Sequence, residues 1–300
     1  MNRIGIFGVG CIGSIIAKYL HLSDLISIYY FNRSQKSQIK ISHKNHRFSL
    51  NIQIQKLQEF DDKLDWLIVC LKEYDLQNAF PDIRKLIHSE IKIAVFRNGL
   101  DLKNGFSKFI PAKQILETII DCPAQGNTKS QIIQFNHPKI TLPKITLAKQ
   151  FSSLFTESEI QFNFTEQWKT DQWRKLIESS SIGAIQAVTR RTCSIFKDEK
   201  MVEIYRQLVS EAIVIAKIDG AKISNNFEQE LIHKLETYPE EKGSSMLLDV
   251  INLKPIELNA KIGAIVKRAN EFDHQVQVTE IFYHLLCNIT YDNTAKNKTQ

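Results

Sequence analysis

Cysteine is scarce in this chain and follows no pattern. The five residues Cys11, Cys70, Cys122, Cys193 and Cys287 are odd in number and scattered. They have neither metal-ligand nor paired redox spacing, which excludes a disulfide scaffold and suits a reducing, cytoplasmic setting. The eight histidines make no pair at metal-binding spacing, so no metal is expected. His43 and His46 lie in a polar stretch and read as solvated, and His137, beside Pro138, reads as a surface residue. No run reaches the roughly 18 uncharged apolar residues of a membrane span, so no membrane partner is expected. Basic residues form no dense run, and the net charge of +6 leaves no nucleic-acid footprint. The apolar stretch after Met1-Asn-Arg3 has no small-x-small cleavage site, which argues against a secretory leader. No internal repeat or low-complexity block is visible.

What is present is enough apolar material for two cores, 43% of 300 residues. Gly8-Val-Gly-Cys-Ile-Gly13 directly follows an apolar strand and opens an apolar helix. In that context Gly-x-Gly-x-x-Gly is a dinucleotide fingerprint: Gly8 allows the tight turn, Gly10 the approach of a pyrophosphate, and Gly13 close helix packing. Gly8, Gly10, Cys11, Ile12 and Gly13 are therefore the expected cofactor turn. Strand-like runs follow at Ile26–Phe31, Leu64–Leu71, Ile91–Phe96 and Ile115–Ile120, with helical stretches between several of them. Ile132–Phe135 and Ile160–Phe164 read as strands added at the edge of that sheet, because Pro138 and Pro143 interrupt regular pairing. From Trp168 on, apolar residues recur three and four apart, as in Val202, Tyr205, Leu208, Val209, Ala212 and Ile213. The expectation is an α/β protein with an N-terminal Rossmann-type, doubly wound sheet over residues 1–166. A C-terminal all-helical domain over 167–291 and a frayed polar tail over 292–300 complete it.

The choice of nicotinamide cofactor depends on the residues after the second strand. An NAD site places Asp or Glu there for the ribose hydroxyl, whereas this chain reads Phe31-Asn-Arg33. Arg33 suits a 2′-phosphate, which makes NADPH the expected cofactor. Lys36 either assists or is solvated. Two further loops lie at carboxyl ends of strands. One carries Lys72, which could equally be a surface lysine. The other carries Asn98, suited to the nicotinamide ribose or the substrate, and Gly99; Asn-Gly is also an ordinary turn pair.

These motifs, with Trp173-Arg-Lys-Leu176, Ser244-Ser-Met-Leu-Leu-Asp249 and Glu257, stand in the order and spacing of the ketopantoate reductases, and the chain resembles that family over nearly its whole length. The resemblance implies NADPH-dependent reduction of ketopantoate, a small 2-oxo acid, to pantoate, with the active site between two domains and a monomeric or homodimeric enzyme. Lys175 matches the family's catalytic lysine, which would supply the proton as hydride reaches the ketone. Glu257 matches the acid that contacts substrate hydroxyls, and Ser245 matches the serine that binds its carboxylate. Each has a plainer reading: Lys175 as a surface lysine, Glu257 as a first-turn carboxylate after Pro255, and a serine at 244–245 as a helix cap. Asp249 reads as structural.

The chain also departs from the family pattern. Four and eight residues after the lysine, where the family has asparagines contacting substrate, this chain has Ser179 and Gly183. Ser179 keeps one hydroxyl for the substrate. Ser180, Ser181 and Gln186 are the nearby candidates for compensation. Three functions therefore stay open: ketopantoate reductase, a related NADPH-dependent reductase of another 2-oxo acid, and a nucleotide-binding sensor with little catalysis.

Overall fold

The computed structural model describes residues 1–33, 35–126 and 131–297, with side chains through Thr290. Two compact units divide the chain: residues 1–97 with 101–166, and residues 98–100 with those from 167 on.

The first unit begins with β1 (Asn2–Phe7), α1 (Cys11–Leu20), β2 (Ile26–Phe31), β3 (Gln38–His43), β4 (His46–Asn51), β5 (Trp66–Val69), α2 (Glu73–Lys85) and β6 (Lys92–Phe96). It continues with β7 (Ile115–Asp121), β8 (Ala124–Gly126), β9 (Gln131–Gln134), β10 (Lys139–Pro143), α3 (Thr146–Ser152) and β11 (Gln161–Thr165). Seven strands make the main sheet in the order β11-β10-β7-β6-β5-β1-β2. From β7 to β2 every pairing is parallel, Ile4 facing Ile28 on one side and Trp66 on the other. Such strands are buried on both faces, which is why β5 reads as an unbroken apolar run with all four residues buried. The strand order reverses between β1 and β5, so the loops leaving their carboxyl ends adjoin there, where a doubly wound sheet receives its ligand.

Ile160–Phe164 was expected at the edge of this sheet, and β11 is the edge strand. Ile132–Phe135 is not in it. β9 lies instead in a second, four-stranded sheet of order β4-β3-β9-β8. The stretch around His43 and His46 is a hairpin of β3 and β4 with Ile39 and Ile41 buried. His43 is buried rather than solvated, its Nδ1 2.8 Å from the Gln134 carbonyl. His137 is tied to the Tyr19 hydroxyl and Glu159, each at 3.1 Å.

The second unit is helical: α4 (Trp168–Thr189), α5 (Glu199–Ile218), α6 (Phe227–Glu236), α7 (Ser245–Ile251), α8 (Ile262–Glu271) and α9 (Gln277–Asn297). Its core gathers the apolar stripes of these helices, including Trp173, Ile177, Ile185, Tyr205, Val209 and Ile265. α9 continues through Asn297, so the backbone of residues 292–297 is helical where fraying was expected; residues 298–300 lie outside the described residues.

Candidate active site

The glycine turn links β1 to α1, and its three glycines meet three different constraints. Gly8 has φ of +97°, and a Cβ there would lie 2.8 Å from the Cys70 carbonyl oxygen on the loop after β5. A Cβ at Gly13 would lie 2.0 Å from the Gly8 carbonyl oxygen, so only hydrogen lets the helix sit on its own turn. A Cβ at Gly10 would meet nothing within 4 Å, which leaves open space beside the backbone. Open backbone at the start of a helix is the kind of surface on which a pyrophosphate can rest. Cys11 and Ile12 are half-buried in the first turn of α1.

Side chains from beyond β2 hold this turn. Asn32 accepts from the Val9 amide at 3.2 Å, so its carbonyl oxygen braces the turn. Lys36 was only weakly marked by the sequence, yet its ammonium donates to the Val9 carbonyl at 2.9 Å and to Ser14 Oγ at 3.2 Å. Burial pushes its pKa down and nearby Cys11 partly offsets this, so a half-buried cation lies against the expected phosphate cradle. Arg33 is half exposed and, among the described residues, faces Asp75 across a long ion pair of 3.8 Å, a contact weak enough to be exchanged for a stronger anion. Lys72 precedes α2, with its ammonium 5.7 Å from the centre of the Tyr74 ring.

In the helical unit α4 carries Lys175, and its N-terminal part is anchored by buried Trp173. The indole donates to Asp219 at 2.8 Å, and Lys169 reaches the same carboxylate at 3.2 Å. Lys175 is half-buried. Ser179, one turn on, donates only weakly to the Leu176 carbonyl at 3.5 Å. At position 183 a Cβ would lie 2.7 Å from the Met246 sulfur. The thioether fills the space of a longer side chain. Nor does Gln186 compensate: it accepts from the Ser244 amide at 2.6 Å and donates to the Lys242 carbonyl at 3.1 Å.

Two residues between α7 and α8, Glu257 and Lys261, pair with Asn98 after β6 and with Ser245 at the start of α7. Asn98 counts with the helical unit, and its amide donates to Glu257 Oε2 at 3.1 Å. Gly99, with φ of +109°, sits against Ala260, where a Cβ would lie 3.1 Å from the carbonyl oxygen. Glu257 is only 6% exposed and lies before α8 in non-helical chain, so the first-turn dipole reading does not hold. Helix capping belongs to Ser244, which accepts from the Leu247 amide at 3.1 Å, whereas Ser245 is exposed and accepts from the Lys261 ammonium at 3.2 Å. Lys261 is 3% exposed. No motif pointed to it. Among the described residues no group of His, Cys, Asp and Glu is arranged to hold a metal ion, and no helix is long and apolar enough to cross a membrane.

Residues 4–146 match the model of the ketopantoate reductase PanE/ApbA family, and residues 167–290 match that of the same family's C-terminal part. The chain is 23% identical over 268 residues to 2-dehydropantoate 2-reductase of Caulobacter vibrioides, covering 89% of this chain and 92% of that one. With the Mycobacterium tuberculosis 2-dehydropantoate 2-reductase it shares 22% over 229 residues, 76% and 77% of the two chains. Among solved structures it is similar to the dimeric ketopantoate reductase of Staphylococcus aureus, at a TM-score of 0.87 and 23% identity over 97% of this chain and 99% of that one. It is equally similar in fold to D-mandelate dehydrogenase in complex with NADH and anilino(oxo)acetate, at a TM-score of 0.88 and 18% identity, again over 97% and 99%.

Proposed function

The chain belongs to the ketopantoate reductase PanE/ApbA family of oxidoreductases, and we propose that it reduces 2-dehydropantoate to (R)-pantoate with NADPH. The observation that carries this reading is the pairing of Asn98 with buried Glu257 and of Ser245 with Lys261, on the same helical unit as Lys175. Together they provide a proton donor, an acceptor for substrate hydroxyls and donors for a carboxylate.

The glycine turn fits the nucleotide, since Gly10 opens onto free space while Gly8 and Gly13 have none. Gly8, Gly10, Cys11, Ile12 and Gly13 would hold the pyrophosphate, Arg33 the 2′-phosphate, and Lys72 and Asn98 the rest of the cofactor. No carboxylate follows β2, and Asn32 is occupied by the Val9 amide, which favours NADPH over NADH. When bound, the reduced nicotinamide supplies a hydride to C2 of the ketone. Lys175 as ammonium stabilises the charge developing on the carbonyl oxygen and gives up one proton to it, ending as the neutral amine. Glu257 accepts from the substrate hydroxyls, with Ser245 donating to the carboxylate. Ser179 retains one hydroxyl for the substrate.

A second reading, reduction of a different 2-oxo acid with the same Lys175 chemistry, is favoured by Met246 filling the space beside Gly183. That wall is apolar where an amide would be polar, and the solved relative D-mandelate dehydrogenase is described with an aryl-bearing oxo acid analogue. The test is loss of reduced-cofactor absorbance with NADPH or NADH against 2-dehydropantoate and a panel of smaller and bulkier 2-oxo acids. Fastest turnover of 2-dehydropantoate with NADPH is expected. A much higher kcat/KM for another acid would transfer the assignment to the second reading, and no oxidation with any acid would leave a nucleotide-binding sensor.

A further inference from the structure

Asp219 is a carboxylate in a place that electrostatics disfavours twice. It caps the carboxyl end of α5, where the helix dipole repels negative charge, and its side chain is only 8% exposed. The groups that offset this come chiefly from α4. Oδ2 accepts from the Trp173 indole at 2.8 Å, and Oδ1 accepts from Lys169 at 3.2 Å with Arg268 of α8 3.8 Å away. The Asp219 backbone carbonyl also accepts from Lys169, at 2.6 Å, and three residues on the Lys222 amide donates to Thr170 Oγ1 at 2.9 Å. The indole N–H alone would be satisfied by a neutral acceptor. The charge is what brings Lys169 and Arg268 to the same point.

At about 100° per residue, Lys169 and Trp173 lie on one stripe of α4, whereas Lys175 lies about 200° from Trp173, on the far side of the helix. A helix held along one stripe can still rock about it. Glu178, about 60° from Lys175, supplies the second hold: its Oε1 accepts from Lys234 of α6 at 2.7 Å and from the Tyr238 hydroxyl at 2.5 Å. Lys175 thus stands between two anchored faces of its own helix.

We propose that Asp219 is a positioning residue for Lys175: by gripping Trp173 and Lys169 it fixes the rotation of α4, and with it the place of the Lys175 ammonium. The proposal rests on the reductase reading above, in which Lys175 gives its proton to the ketone oxygen. That transfer needs hydrogen-bond reach. With side chains extending about 5–6 Å from a helix axis, a rotation of about 10° displaces such a group by about 1 Å. A displacement of about that size can cost about a hundredfold in rate.

The test crosses Asp219→Asn with Lys175→Ala. Asparagine keeps an acceptor for the indole and removes the charge that holds Lys169 and Arg268. Thermal unfolding first establishes that each protein is folded at the assay temperature, and kcat and KM are then measured with NADPH and the fastest 2-oxo acid. Alone, D219N should lower kcat about ten- to a hundredfold while KM changes less than about threefold, and Asp219→Glu, which keeps the charge, should recover part of the loss. In the K175A background D219N should change the residual kcat less than about threefold, because the group it positions is gone. If D219N fails to fold, Trp173→Phe removes the indole N–H alone and allows the same cycle. Equal losses of kcat in the two backgrounds, or a lowered Tm with unaltered kcat, would overturn the proposal and leave Asp219 a role in stability only. Wild-type turnover by K175A would overturn the Lys175 reading and this proposal with it.

Discussion

Two alanine substitutions three positions apart along one turn should have different consequences, set by where a single methyl group falls. At Gly13 the new Cβ would lie 2.0 Å from the Gly8 carbonyl oxygen, and real Cβ contacts essentially never fall below 3.0 Å. Backbone must move by an ångström, and the obstructing atom belongs to the turn itself. Overpacking costs about 1–3 kcal/mol, and the upper end applies because a carbonyl cannot rotate away as a side chain would. Alanine recovers up to about 1 kcal/mol of helix propensity, leaving a net loss near 2 kcal/mol. For a unit of this size that corresponds to a fall in Tm of about 4–8 °C. At Gly10 the Cβ meets nothing within 4 Å and φ is −78°, which alanine adopts freely. The weaker alanine cap and the reduced entropy of the unfolded chain roughly cancel, so stability should change by less than about 1 kcal/mol. The methyl nonetheless occupies the approach to the pyrophosphate, and NADPH affinity should fall more than about tenfold. Thermal unfolding without ligand, and NADPH titration followed by fluorescence, separate the two. A Gly10→Ala protein that loses as much Tm as Gly13→Ala, or that binds NADPH normally, would refute this reading of the turn.

Arg33→Ala should lower the NADPH over NADH preference by about tenfold or more, read from the two Kd values, since its ion pair with Asp75 is long and exposed. Lys175→Ala should reduce kcat by about 10²–10⁴ while leaving NADPH Kd unchanged; unaltered turnover would remove it from the chemistry. Glu178 governs a pH effect: burial alone would raise its pKa, but hydrogen bonds from Lys234 and Tyr238, with the Lys234 and Lys175 charges, bring it below the usual carboxylate value. Its folded pKa is depressed, so its contribution to stability is complete above the ordinary glutamate pKa and is lost as pH falls through the lower folded value. Denaturation curves of Glu178→Gln should therefore lie below wild type at neutral pH and converge with it in acid; parallel curves would refute this.

The parts of the fold visible in the sequence were those with a strong local period. β1, β2, β6 and the helices from α4 on each carry an apolar run or stripe that only one element type can bury. The β3–β4 hairpin escaped because its turn is Lys44-Asn45, with φ of +51° at Lys44, where glycine is the usual sign of such a turn. Its alternation was present in Ile39 and Ile41, with Phe48 and Leu50 on the returning strand, but each run is short and flanked by charge. β9 pairs with β3 rather than with the main sheet because a short run such as Ile132–Phe135 shows that a strand exists, while its partner is chosen by tertiary packing. In the glycine turn, Gly8 and Gly13 were legible because sterics permit few alternatives there. Lys36 and Lys261 were not, since a lysine's burial depends on what the rest of the chain folds around it.

Asn98 and Glu257 are 159 positions apart, yet they share a hydrogen bond inside the helical unit. A fragment starting at Gln167 would therefore lack both that amide and Leu100, which packs against the helical core. Its Glu257 would keep its burial while losing a donor, a costly state for a carboxylate. Ordering so distant a pair also carries the entropy of closing a very long loop, and contacts of that kind form late in folding. Two separately expressed halves cut at the apparent boundary should thus fold poorly, whereas adding a peptide spanning residues 92–103 gives the C-terminal half the segment it is missing.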